Sequence, residues 1–292
     1  MPEYTVRTDL AVEARELSLG GAEEIEGVSY NRTEVNGNII HFMEVLDDGG
    51  AKQIGKPRGK YCTIEIDSLT ERHSDGFEGA VNALSSEISK IIPLDRRDGC
   101  VLVVGLGNRD ITPDAIGPLA AENTLVTRHL KEHLPEDFAA FAPVAVICPG
   151  VLGTSGIESA SYIKSLCDNV APSIVIVVDA LAARSLDRLC RTVQITDTGI
   201  TPGSGVGNNR CEITAETLGV PVVAVGVPTV VDIGTILADL NAGDANQLPK
   251  NMIVTPRNID TEVVSAGRLV GYAVNLALHK GLTIEDVDLL VG

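Results

Sequence analysis

The chain has 292 residues, 44% hydrophobic and 22% charged, which is the composition of a folded globular protein and excludes wholesale disorder. Its 23 basic and 40 acidic side chains leave a net charge of −17. That weighs against a protein built to hold nucleic acid or an anionic membrane surface, although solubility alone would account for the acidity.

In chain order, residues 1–36 read as a polar, acidic, loosely patterned lead segment. Residues 38–46 and 61–67 are strand-like, the second alternating apolar and polar side chains. A helical period runs over 76–92 and stops at Pro93. Unbroken apolar runs then recur at 100–105, 142–148, 173–179 and 222–226, with a further strand-like run at 191–196. Helical patterns occupy 114–134, 157–167, 232–240 and 260–279, and 242–250 reads as a loop. Apolar runs alternating with helical segments predict β-α-β units. The fold class expected is therefore α/β: a single domain with a mostly parallel twisted sheet and helices on both faces. No apolar run is long enough to span a bilayer, and the first residues lack the basic-then-apolar pattern of a signal peptide, so a soluble cytoplasmic chain is expected. The six cysteines form no C-x-x-C pair, which predicts reduced, mostly buried thiols.

In open α/β sheets ligands bind beyond the carboxyl ends of the strands, so the residues after each apolar run carry the functional information. Gly105 and Gly107 open like a dinucleotide fingerprint, but Asp110 occupies the third glycine position and would repel a pyrophosphate. Further on, Thr112 and Pro113 suit a helix start, which would put Asp114 in a first turn beside the positive end of the helix dipole. Asp179 ends a run of branched apolar residues, a costly place for a carboxylate unless it is paired or used. The pattern leaves open whether Asp114 only stabilises a helix start and Asp179 only caps a turn. If their strands are neighbours, the two carboxylates converge on one crevice, where a pair can share a proton and activate water for attack on an amide. Asp114 would then be the base and Asp179 the acid.

The remaining motifs point elsewhere or nowhere. Asp197-Thr-Gly199 has the triplet of pepsin-like proteases, but there is no second triplet and no all-β pattern, so it reads as a turn. The loop Pro202-Gly-Ser-Gly-Val-Gly207 could present backbone amides to an anion or mould a peptide groove. His129 and His133 stand four apart on a helix, where a solvated face is expected, and no nucleophile elbow is present. A metal site is not expected, because no histidine follows a strand end.

Several blocks together resemble the spore germination protease family. They are Tyr4-Thr-Val-Arg-Thr-Asp-Leu-Ala-Val-Glu-Ala14, Val103-Val-Gly-Leu-Gly-Asn108, Thr112-Pro-Asp-Ala-Ile-Gly-Pro118 and Val178-Asp-Ala-Leu-Ala-Ala-Arg184. Thr196-Asp-Thr-Gly-Ile-Thr-Pro-Gly-Ser-Gly-Val-Gly-Asn208, Gly226-Val-Pro-Thr-Val-Val-Asp232 and Met252-Ile-Val-Thr-Pro256 complete the match, which covers most of the chain in order. The resemblance implies an endopeptidase that degrades the small acid-soluble proteins coating spore DNA, located in the forespore or spore core and assembled as a homotetramer. It implies a zymogen that cuts itself between Asp9 and Leu10, with 1–9 a propeptide, 10–292 the peptidase domain, and the segment Thr8 to Glu13 a mimic of the substrate. The essential aspartates carried over are Asp114 and Asp179. Asn108, Gly203, Ser204, Gly205 and Thr229 are candidate substrate-binding residues. The segment before Met252 is shorter here than in the family pattern.

A more distant likeness, through G-x-G-N and T-x-D-x-I-G, is to hydrogenase maturation proteases, with a phosphorylase/hydrolase-like fold. Those use nickel held by two acids and a histidine. With no histidine at a strand end here, metal-independent hydrolysis without a cofactor is expected. A metal-dependent peptidase and a non-catalytic α/β binding module are the alternatives.

Overall fold

A computed structural model describes residues 6–35, 37–66, 75–93, 99–207, 210–239 and 252–291. The elements run α1 (Ala11–Leu19), β1 (Val28–Val35), β2 (Asn38–Val45), α2 (Asp48–Ile54), β3 (Gly59–Glu65), α3 (Asp75–Ile91) and β4 (Val101–Gly105). They continue with α4 (Ile116–Glu122), α5 (Arg128–His133), β5 (Val144–Ile147), α6 (Leu152–Ser155), α7 (Ser159–Val170), β6 (Ile174–Ala183) and β7 (Thr192–Thr196). The last are α8 (Ala215–Leu218), β8 (Val222–Asp232), α9 (Ile233–Asp239), β9 (Ile253–Val254), α10 (Ile259–Leu278) and α11 (Ile284–Val291).

The strands form one sheet in the order β1-β2-β3-β7-β8-β6-β4-β5, with β9 beside β8. It is mixed. β5, β4, β6 and β8 run parallel. The wing of β7, β3, β2 and β1 is antiparallel. The parallel half explains the unbroken apolar runs, because its strands are buried on both faces. Val101 and Val103 of β4 and Ile174, Ile176 and Val178 of β6 face one cluster, packed under α3, α4, α10 and α11. Leu102, Val104, Val175 and Val177 face the other, under α7 and α8. One α/β domain with helices on both faces is what the sequence predicts.

Three expectations change in detail. The helix expected over 114–134 is a 3₁₀ turn at Thr112–Asp114, then α4, then α5, because Asn123 and Thr124 turn their side chains back onto the carbonyls of Leu119 and Ala120. The lead segment is ordered where described: α1 buries Ala11 and Val12, and β1 is a mostly exposed edge strand. β6 and β8 continue past Asp179 and Gly226, pairing as far as Ala183 and Val231. The 242–250 loop lies outside the described residues. All six cysteines are free, three of them buried. No described helix is long and apolar enough to cross a membrane.

β5 lies on one side of β4 and β6 on the other. The winding therefore reverses at β4, and a crevice opens beyond the carboxyl ends of β4 and β6.

Candidate active site

β4 and β6 are direct neighbours, with Gly105 paired to Val178. Their ends deliver Asp114 and Asp179 to one cavity of about 480 Å³, also lined by Asp9, Gly107, Gly205 and Thr229. Asp179 lies within β6, one residue beyond the level at which β4 ends, is itself buried, and accepts a hydrogen bond from the Ala180 N–H at 2.9 Å. Burial pushes its carboxyl well above the ordinary carboxylate range; the Asp114 charge adds to this, the Ala180 N–H opposes it, and the Asp9 charge adds a little more.

Asp114 closes the 3₁₀ turn after β4. It is not the first-turn residue of an α-helix, so a helix dipole is not what governs it. Its carboxylate accepts instead from the Asn108 N–H at 2.7 Å. Burial raises its pKa, and that hydrogen bond pulls the other way. Gly107 makes the turn possible: its φ is +111°, and a Cβ there would stand 2.0 Å from the Asp114 carbonyl oxygen. Thr229 braces the same turn, donating to the Pro113 carbonyl at 2.7 Å. Both carboxyls are thus biased toward the neutral form, Asp179 more strongly, which suits a pair that shares a proton.

The segment Val6 to Asp9 lines a second hollow of about 470 Å³ that meets the first at Asp9, Leu181 and Gly205. The Asp9 N–H donates to the Ala182 carbonyl at 2.9 Å, extending β6 as a further strand residue would. Its carboxylate accepts from the Ala182 N–H at 2.8 Å and from Ser204 Oγ at 2.6 Å. Gly205 must be bare, since a Cβ would meet Asp9 Oδ2 at 2.2 Å. The Asp9 carbonyl accepts from Lys56 Nζ at 2.9 Å and Gln194 Nε2 at 3.1 Å. Leu10 and Ala11 are fully buried. The Glu13 carboxylate accepts from the Arg184 and Ser185 N–H groups at 2.7 and 3.0 Å, takes the Thr8 hydroxyl, and pairs with Arg188 at 3.3 Å.

The residues singled out from sequence fall as follows. Asp9, Leu10, Asp114, Asp179, Gly203, Ser204, Gly205 and Thr229 gather at the two hollows or their junction. Asn108 acts through its backbone on Asp114, while its side chain accepts from the Asp110 N–H within its own loop. Thr229 likewise holds the Asp114 turn. Lys56, Gln194 and Arg188 were not foreseen. Only Gln194 carried a signal, as an amide in the middle of a five-residue buried strand. His129 and His133 are exposed on α5. Among the described residues no group of three or more His, Cys, Asp or Glu is placed to hold a metal ion.

Known proteins share this arrangement of sequence. The family model for germination protease matches residues 6–242, a span that includes both aspartates. A germination protease of Caldanaerobacter subterraneus is 42% identical, covering 98% of each chain. One from Clostridium perfringens is 40% identical over the same shares. One from a Geobacillus species is 46% identical over 81% of this chain and 66% of its own. A solved NiFe hydrogenase maturation protease from Thermococcus kodakarensis is 17% identical, over 64% of this chain and 98% of that one, at a TM-score of 0.36, and nothing is drawn from that likeness. On the family match and the near full-length identity, this chain belongs to the germination protease family, a family of peptidases.

Proposed function

We propose that this chain is a zymogen of an aspartate-based endopeptidase that removes its own first nine residues and then cuts small acid-soluble spore proteins during germination. The observation that carries this reading is the position of Asp9, which lines the cavity holding Asp114 and Asp179 while its own peptide is anchored along the adjoining groove. The segment across the proposed cut lies there as a bound substrate would, with carboxylates at Asp9 before the cut and Glu13 after it each met by donors. Asp114 takes a proton from the attacking water, and Asp179, held neutral by burial, protonates the leaving nitrogen. The reaction needs no metal or other cofactor. The partners are the protein substrate and three further copies of the chain, in the forespore or spore core. A net charge of −17 suits an enzyme that strips proteins from DNA without binding the DNA.

The test is to incubate the pure full-length chain with a small acid-soluble spore protein, with and without chelator, and to read all masses together. The expected result is loss of residues 1–9 and cutting of the substrate, both unaffected by chelator. Asp114→Asn or Asp179→Asn should slow both events by roughly 10²–10⁴-fold. Absence of any cleavage overturns the reading, and loss on chelation moves it to a metal-dependent peptidase. Sedimentation at four times the mass of one chain tests the tetramer.

A further inference from the structure

Asp9 is engaged from two directions. Its N–H and carboxylate are met by Ala182 and Ser204, near the aspartates. Its carbonyl oxygen, the one belonging to the bond before Leu10, is met by two donors on the wing side, Lys56 Nζ at 2.9 Å and Gln194 Nε2 at 3.1 Å.

These donors share two properties, and a third belongs to Gln194. First, both are set on fixed backbone. Lys56 directly follows the glycine that caps α2, and Gln194 is the central residue of β7. Second, neither is occupied by a competing partner. Among the described residues no carboxylate forms an ion pair with Lys56, whose ammonium is given to the Thr8 and Asp9 carbonyls. Gln194 is buried, and its other end accepts from the Ala11 N–H at 2.6 Å, so the two ends of the amide hold the backbone on either side of the Asp9–Leu10 bond. Third, Gln194 stands in line with the acid. Gln194 pairs with Gly226, which pairs with Asp179, so the two side chains emerge from one face of the sheet in a single row. Gly226 stands between them and makes room for the Leu181 side chain, which packs over it, at a Cα separation of about 10 Å from ordinary strand spacing.

We propose that Lys56 and Gln194 are the catalytic donor pair for the carbonyl oxygen of the cleaved peptide bond; this rests on the aspartate-peptidase reading above. One aspartate removes a proton from water as the water oxygen bonds to the Asp9 carbonyl carbon. The π pair moves onto the carbonyl oxygen, where the Lys56 and Gln194 N–H groups hold the new negative charge. When that pair returns, the C–N bond breaks and the Leu10 nitrogen leaves with a proton from the other aspartate. Water is the only co-reactant.

A residue that only ties the leader down would lose cleavage in proportion to lost docking, whereas a charge-holding donor loses rate with the leader still in place. The full chain is therefore prepared as wild type, Lys56→Met, Lys56→Arg, Gln194→Met and Asp114→Asn. The first-order rate of Asp9–Leu10 cleavage is read by intact mass, and hydrogen exchange of the leader amides is read alongside. The expected result is a loss of roughly 100-fold or more in Lys56→Met, the size seen when one such donor is removed, and a smaller loss in Gln194→Met. Lys56→Arg should recover part of the rate, and leader protection should persist in Gln194→Met. A folded Lys56→Met chain that cleaves within about threefold of wild type overturns the proposal, as does a rate that falls only as far as leader protection does. If Lys56→Met does not fold, Gln194→Met and Lys56→Arg decide by the same two readings. Cleavage that survives Asp114→Asn overturns the aspartate reading alone, since the donor-pair readings stand on Lys56 and Gln194.

Discussion

At the scale of single residues, Asp179 titrates against its surroundings. Its folded pKa is raised above the unfolded carboxylate value, first by burial and then by Asp114. The folded state therefore holds the proton more tightly than the unfolded chain. The stability this contributes is complete below the unfolded value and is lost as pH rises through the folded one. Asparagine does not titrate. Asp179→Asn should melt close to wild type near pH 4 and above it by a growing margin as pH rises to about 8, followed by calorimetry across that range. A margin that shrinks with rising pH would remove the assignment. On the proposed role of Asp179 as acid, the cleavage rate of the unaltered chain should fall over the same upper range, where its protonated form is depleted.

Secondary elements carry the next predictions. The turn from β4 to Asp114 depends on Gly107, and Gly107→Ala would drive a methyl into the Asp114 carbonyl. A stability loss of about 1–3 kcal/mol is expected, with slowed cleavage, measured by urea unfolding and by mass. α1 is held through Glu13, which is buried against two backbone N–H groups and Arg188. Glu13→Ala leaves those donors unmet at a cost of about 3–5 kcal/mol, best measured in an Asp114→Asn background where the leader stays attached. These elements also mark what the sequence could and could not tell. β4, β6 and β8 are legible because strands buried on both faces become unbroken apolar runs, and α10 because its apolar face repeats at the helical period. Asp114 and Asp179 follow from the rule that parallel strands present ligands at their carboxyl ends. α1 is illegible because what it packs against is α2 with β2 and β3, a partnership no local pattern encodes. Lys56 is illegible for the same reason at longer range, and Gln194 shows only that a buried amide needs a partner, not which one: their bonds to Asp9 cross 47 and 185 residues of sequence. Only the placing of β7 between β3 and β8 brings Gln194 there.

For the molecule as a whole, two architectures meet at one site. The parallel half supplies the carboxylates, and the antiparallel wing with α2 supplies the donors to the leader carbonyl. An acidic chain of this size gains solubility from a charge of −17, and repulsion among its carboxylates is relieved locally where those of Asp9 and Glu13 meet backbone N–H groups. The seating of Asp9 beside its own Asp114 and Asp179 has a kinetic consequence. A tethered strand competes for the groove at an effective concentration set by the chain, commonly millimolar, which free substrate does not match. Self-cleavage then behaves as an internal clock: its half-life should not change when the sample is diluted over a hundredfold range, about two decades. A half-life that lengthens with dilution would mean that one copy cuts another. On the proposed self-cleavage, cutting the tether would turn a resident strand into a dissociable fragment, so the groove would open to substrate at the rate the fragment leaves, and that departure would set the lag before the first outside turnover.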